Sequence, residues 1–429
     1  MRSLLIAVGA VSVLARATLA QADSTRRPTS RADSLKQKAI QDSIALMKAL
    51  QGAVATPPQP TQQGPTGGAT GPTNPRLLPD ISAVGDLVGD LSPKGTTQGD
   101  NTRFSVREVE LAVQAVVDPY FRGDVFLGIS DLEGISIEQA YLTATGIPDL
   151  EVRLGRYLMP FGKQNTTHRH DLHTIEYPWV IQRFLSDDGL KGTGVWLSKV
   201  FAPFGFYQEL QVTAVDRLRD ADESLVPFET VNKSLGGLGY SARLRNYVDL
   251  SQSTNIEISG SAITGKVERG FQTLEGEPAV FSGVNATLAR QTMFGGDLTF
   301  RWRPLQQGLY KSFILQAEVM HQMNERSPTA GIEGVPSLDV PRGRDYTGAY
   351  GFARYQLTQR LFLGGRYDWV QDPLAGGRTL SAGSGYLEWF PSEFSKLVAG
   401  YERVSETSGV NRFLVQASFA LGPHKPHPF

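Results

Sequence analysis

The 429-residue chain contains no cysteine, which excludes disulfides, thiolate metal centres and cysteine nucleophiles together. Its formal net charge of −1 gives no bulk attraction to nucleic acid or to an acidic partner. After the first twenty residues no run reaches the roughly 18 consecutive apolar residues of a membrane-crossing helix. There is no Gly-x-Ser-x-Gly elbow and no glycine-rich phosphate loop. His321 is placed to face outward from its strand, but no serine accompanies it as a hydrolase pair would require. These absences predict a protein that is not an enzyme.

What is present is an alternation. From about residue 80 onward, stretches of roughly ten residues alternate polar and apolar side chains, the pattern of a strand with one face in lipid and the other in water. In Arg412–Leu421, Phe413, Val415, Ala417, Phe419 and Leu421 share one face. Arg412, Leu414, Gln416, Ser418 and Ala420 share the other. Phe294, Leu298, Phe300 and Trp302 likewise oppose Asp297, Thr299, Arg301 and Arg303. About sixteen such strands are expected, the first near 81–90, 103–117 and 120–131 and the last near 379–390, 395–405 and 411–422. The breaks have a parity of their own. Short turns such as Asp118-Pro119, Gly146-Ile147-Pro148 and Pro391-Ser392-Glu393 follow even-numbered strands, and the longer gaps at 160–191, 217–235, 267–290 and 325–344 follow odd-numbered ones. Outer-membrane barrels have such short periplasmic turns and longer outer loops, so both ends of the barrel are expected on the periplasmic side.

Met1–Ala20 reads as a secretory signal peptide: Arg2 is followed by an apolar stretch, and Ala17-Thr18-Leu19-Ala20 offers a cleavage site of small residues. Residues 21–55 are expected to form a periplasmic helix. Ile40, Met47, Leu50 and Val54 approximate a heptad seam, which leaves a short coiled coil and a lone helix both open. Residues 56–78, rich in Pro, Gly, Gln and Thr, read as an extended linker. Residues 79–429 are then an all-β, sixteen-stranded antiparallel transmembrane barrel in a bacterial outer membrane. An active receptor of the TonB-dependent kind would need about 22 strands and a plug domain, for which the region before residue 80 is too short and too polar.

A charge on the lipid face costs roughly 2–4 kcal/mol for Arg or Lys at mid-membrane, so the charged faces must look inward. Pore-lining residues are therefore expected at Glu108, Glu110, Arg122, Asp124, Glu138, Arg153, Arg243, Arg245, Arg301, Arg303, Arg354 and Arg366. They could pair as an ion network on the wall, or a few could set selectivity at a constriction. Lipid contact is expected of Val109, Leu111, Val113, Val125, Leu127, Ile129, Leu210, Val212, Phe300, Trp302, Leu363, Tyr367 and Trp369.

Arg153–Gly162, RLGRYLMPFG, resembles the VRxGxFxxPFG segment of the porin O/P family, the phosphate-selective porins and their relatives, and Ile137–Leu142 resembles the EEAYL strand that precedes it there. The resemblance implies a sixteen-stranded barrel, a trimer, and passive diffusion of small hydrophilic solutes or ions. The lumenal lysines of the phosphate-binding members are scarce here, so phosphate specificity is not carried over. The end of the chain also departs: Gly422–Pro428 separates the last strand from the terminal Phe429.

Thr166–Pro178, TTHRHDLHTIEYP, holds three of the six histidines, His168, His170 and His173. It resembles an FGKxNxxHxH…PWV stretch of other porin-like barrels, some of them associated with zinc regulation. Three imidazoles with carboxylates nearby suit zinc or copper; the alternative is a constriction loop whose histidines hydrogen-bond to the wall. His424 and His427 form a second pair at the other end of the barrel and cannot join this one. The function expected is a porin-like channel, with a non-conducting metal-binding or structural barrel as the alternative.

Overall fold

The computed structural model describes residues 79–98, 101–131, 134–216, 218, 235–267, 289–325, 344–373, 377–405 and 409–422. The signal peptide, the N-terminal helix, the linker, His424, His427 and Phe429 lie outside the described residues. The strands are β1 (Asp80–Asp90), β2 (Phe104–Val116), β3 (Phe121–Ser130), β4 (Gly134–Ala144), β5 (Leu150–Leu158), β6 (Lys191–Phe201), β7 (Tyr207–Val215) and β8 (Gly239–Ser251). They continue as β9 (Thr254–Val267), β10 (Ala289–Trp302), β11 (Phe313–Glu325), β12 (Arg344–Gln356), β13 (Leu361–Asp372), β14 (Arg378–Ser392), β15 (Ser395–Ser405) and β16 (Val410–Leu421). Each pairs antiparallel with its chain neighbours, and β1 pairs with β16, so the sheet closes on itself. Closure leaves no strand edge, which is the condition for a sheet in hydrocarbon.

The two faces sort as the alternation requires. On β7, Leu210 and Val212 point outward and are exposed, whereas Glu209, Gln211, Thr213 and Val215 are buried inside. On β16, Phe413 and Phe419 are exposed outward, and Arg412, Gln416 and Ser418 are buried inward. The turn parity holds as well. Even-numbered strands are followed by 117–120, 145–149, 202–206, 252–253, 303–312, 357–360 and 393–394, and the long connections 159–190, 216–238, 268–288 and 326–343 follow odd-numbered strands. Arg303 corrects one expectation: β10 ends at Trp302, and Arg303 sits in the following turn, exposed, with its Nε donating to the Gly308 carbonyl at 2.8 Å.

The closing seam is fastened from within. Asp86 on β1 accepts from Gln416 Nε2 at 2.8 Å and Ser418 Oγ at 3.3 Å on β16, and from Arg107 Nε at 2.9 Å on β2. A single buried carboxylate thus engages both neighbours of the first strand. His321 faces outward on β11, where its Nδ1 lies 2.9 Å from the Thr347 hydroxyl on β12.

If the outer face lies in lipid, Val212→Arg should lower the unfolding free energy in phospholipid by about 2–4 kcal/mol. Urea titration of the bilayer-inserted protein measures this, and an unchanged midpoint would argue against membrane contact at β7.

Candidate functional site

The longest described connection, 159–190 between β5 and β6, folds into the barrel and packs on its inner wall. Its neck is tied by Asn165, which is fully buried. The Asn165 amide donates to the carbonyls of Met159 and Leu190 at 2.8 and 3.1 Å, and its oxygen accepts the Leu190 N–H at 2.6 Å. From there the chain makes two 3-10 turns, Gln164–Thr166 and Arg169–Asp171, and a short helix α1 (Trp179–Phe184) that begins after Pro178.

Packing explains why the segment stays inside. Phe161, Leu172, Ile181 and Phe184 are fully buried against wall residues including Met293, Met320 and Val370. Each such side chain contributes roughly 1.5–3 kcal/mol by leaving water. Three inward-facing glycines make the room. A Cβ at Gly295 on β10 would sit 3.2 Å from Phe161, one at Gly348 on β12 would sit 2.6 Å from Val180, and one at Gly400 on β15 would sit 3.1 Å from Ile175. Gly162 is constrained in a second way: its φ is +64°, and an added Cβ would meet Glu318 Oε2 at 2.3 Å. The final glycine of RLGRYLMPFG is thus the point where the chain turns off β5 against the β11 wall.

Polar anchors reach the loop from widely separated strands. From β9, Ser261 Oγ accepts the Gly162 N–H at 3.0 Å and Glu257 accepts from Lys163 Nζ at 2.5 Å. Glu318 on β11 accepts the Gln164 N–H at 2.7 Å. Arg107 on β2 donates to the Ile175 carbonyl at 2.7 Å, and Arg366 on β13 to the Glu176 carbonyl at 2.8 Å. Asp368 accepts the Trp179 N–H at 3.0 Å, and Arg412 on β16 donates to Glu176 at 2.9 Å. Lys396 on β15 is 1% exposed and donates to the carbonyls of His170 and Leu172 at 2.5 and 3.0 Å. The opposing effects on Glu176 are clear: burial alone would raise its pKa, and the charge and hydrogen bond of Arg412 hold it below the ordinary value. Lys163 is pushed down to about 8 by burial and by Arg301 and Arg243, against the pull of Glu257.

The histidines divide. His168 Nδ1 lies 2.6 Å from Glu110 Oε2 on β2, and Gln139 Nε2 on β4 lies 2.8 Å from its other ring nitrogen. His170 Nδ1 is 3.9 Å from the same Glu110 oxygen. Donor atoms of Glu110, His168 and His170 all fall within 4.8 Å of one another. His173 does not join them. It packs edge-on against Phe352 on β12, with ring centroids 5.9 Å apart. The expected three-histidine set is therefore replaced, in space, by two histidines and a carboxylate. Burial alone would lower the His168 pKa, but the hydrogen bond and charge of Glu110 raise it.

Most of the other charged positions singled out from the sequence are engaged on the wall. Arg122 pairs with Asp124 at 2.9 Å, Arg153 with Glu151 at 2.7 Å, Arg243 with Asp297 at 3.1 Å and Arg245 with Glu209 at 2.6 Å. Arg354 meets Glu388, with Nε donating at 2.6 Å, and Arg366 meets Asp368 at 2.7 Å. Arg301 reaches Glu257 at 3.5 Å, and Lys191 at the loop's exit pairs with Glu138. Glu108 and Glu138 line a small polar cavity with Glu110, Gln139 and His168. Alternation had located the wall charges. It carried no signal for Lys396 as a loop anchor, nor for the inward glycines.

No family model matches the chain. An uncharacterized protein of Aquifex aeolicus is 26% identical over 349 residues, covering 76% of this chain and 70% of that protein. Among solved structures, the outer membrane channel DcaP of Acinetobacter baumannii aligns with a TM-score of 0.51 at 11% identity, over 80% of this chain and 98% of that one. OprB of Pseudomonas putida aligns with a TM-score of 0.50 at 10% identity, over 80% and 94%. A loop-deletion mutant of OmpT, an outer membrane protein of Vibrio cholerae, aligns with a TM-score of 0.50 at 12% identity, over 80% and 99%. The fold is a porin-like outer-membrane barrel. The likeness extends to the fold and not to the porin O/P family in particular.

Removing the ammonium that holds two buried carbonyls costs about 1.5–3 kcal/mol. Lys396→Met should therefore raise tryptic cleavage at Arg169 and Arg183 in the folded barrel by about ten- to a hundredfold. Gly348→Leu, which crowds Val180, should do the same. Resistance equal to wild type in both variants would show that the anchors do not hold the loop.

Proposed function

We propose that this chain is a passive channel of the bacterial outer membrane for small hydrophilic solutes or ions, narrowed by its own β5–β6 loop. The observation that carries this reading is the loop's setting: it is held inside a lumen whose inner face is charged in both signs. Near the short-turn ends of their strands the lumenal arginines remain open to water. The side chains of Arg122, Arg153 and Arg301 are 44%, 26% and 33% exposed, as in a wet vestibule beneath the loop. Lys163 and its partner Glu257 stand where the loop meets that vestibule, and a charge at a constriction weighs most on selectivity.

The even strand number puts both ends of the barrel on the short-turn side. This supports a periplasmic N-terminal segment, delivered through the signal peptide at 1–20. A trimer is the assembly that the sequence resemblance favours. The reading assigns no catalytic role: His321 shares its hydrogen bond with a threonine on the outer face. The apolar packing of the loop favours a second reading, a closed barrel, because Phe161, Ile181 and Phe184 build a core where an open pore would have water.

Current across a planar bilayer separates the two. The purified protein should give discrete conductance steps in potassium chloride, and a protein that inserts yet stays silent would establish the closed barrel instead. Within the channel reading, pH adds a signature. Lys163 is charged below about pH 8 and neutral above it, so the constriction loses one positive charge as the pH rises through that value. The cation-to-anion permeability ratio should increase across pH 7–9, and Lys163→Gln should flatten the change.

A further inference from the structure

We propose that Glu110, His168 and His170 bind a divalent transition-metal ion of the zinc class, and that the ion ties the β5–β6 loop to the β2 wall. The effect on current rests on the channel reading; the site itself does not.

The donor set is the first argument. Two imidazoles and one carboxylate, with a fourth position left open, suit zinc and also copper. Spacing is the second. Zinc–ligand bonds of about 2.0–2.1 Å place neighbouring donor atoms about 3.3 Å apart in a tetrahedron. Glu110 Oε2 lies 2.6 Å from His168 Nδ1 and 3.9 Å from His170 Nδ1. These two distances bracket the required value, and all three donors lie within 4.8 Å of one another.

Support around the donors is the third argument. Lys396 fixes the His170 carbonyl from β15, the Asp171 N–H donates to the His168 carbonyl at 3.0 Å, and the His168 and His170 rings lie with their centroids 5.5 Å apart. The polar cavity beside the site is lined by Glu108 and Glu138 as well as by Glu110. It offers carboxylates, and room for water, at the fourth position.

The geometric consequence follows from where the donors sit. Glu110 belongs to the wall, whereas His168 and His170 belong to the loop. An ion shared by all three replaces one hydrogen bond by three coordinate bonds, and it can only form with the loop docked.

The test uses the full-length protein folded in detergent, dialysed against zinc sulfate and then assayed for bound metal. About one zinc per chain is expected in the wild type. Glu110→Gln and His168→Ala should each bind at least about tenfold more weakly, and His173→Ala should bind as wild type does. Each variant's gel migration with and without boiling checks that its barrel is folded. Wild-type protein that retains no zinc, folded Glu110→Gln protein that retains as much as wild type, or loss in His173→Ala equal to that in His168→Ala would overturn the site. In bilayers, micromolar zinc should reduce the wild-type current and its fluctuation and leave Glu110→Gln unaffected. Zinc retained with the current unchanged would overturn the tether. A protein that binds zinc and never conducts would overturn the channel reading alone.

Discussion

Every backbone N–H and C=O that enters hydrocarbon must find its partner within the protein, and that requirement organises this molecule. A sheet can meet it only by closing, and here β1 closes on β16. Closure fixes a period of two along every strand, one side chain to lipid and the next to the lumen. Charge is then confined to the lumen and, on the outer face, to strand ends such as Lys199 and Arg403, because an outward arginine at mid-strand would face hydrocarbon. The ion pairs of the wall follow from this confinement. Arginines on the inner face find acids on the same strand, as Arg366 finds Asp368, on the next, as Arg245 finds Glu209, or one strand further on, as Arg354 finds Glu388 and Arg243 finds Asp297.

The inserted loop is a different physical object from the wall that holds it. It carries an apolar core, Phe161, Leu172, Ile181 and Phe184, into a space whose walls are otherwise largely polar. The wall accommodates it locally. Met293, Met320, Phe352 and Val370 interrupt the charged inner faces, and Gly295, Gly348 and Gly400 leave recesses where loop side chains seat. Around these contacts, charged groups from β2, β13, β15 and β16 bind the loop's carbonyls and the Glu176 carboxylate. Anchors of this kind tie down backbone groups that would otherwise be buried without partners.

Strand number, strand faces and turn parity were legible in the sequence because each depends on residues close together in the chain. The alternation in Arg412–Leu421 is sufficient to say which side chains meet lipid. Arg303 was misplaced because alternation continues past the point where pairing stops. The histidine cluster was half legible. His168 and His170 were found through their spacing, but His173, three residues on, turns to Phe352 on β12, while Glu110 arrives from β2. Nothing local joins Glu110 to His168. Their meeting depends on how far the loop extends across the barrel, which is set by packing with Met320 and Val370. The same holds for Lys396, whose position on an inward face was readable and whose partners, two carbonyls of a distant loop, were not.

Arg107, Lys396 and Arg412 stand on β2, β15 and β16, on both sides of the β1–β16 junction, and all three grip the stretch from His170 to Glu176. The strands that meet at that junction come from opposite ends of the barrel sequence, and such distant pairings are the slowest to form. A segment from the middle of the chain that holds both sides of the join acts as an internal splint. The order of assembly follows from this: the splint can be fully seated only when the first and last strands are already side by side, so completing the cylinder and filling it become a single cooperative event.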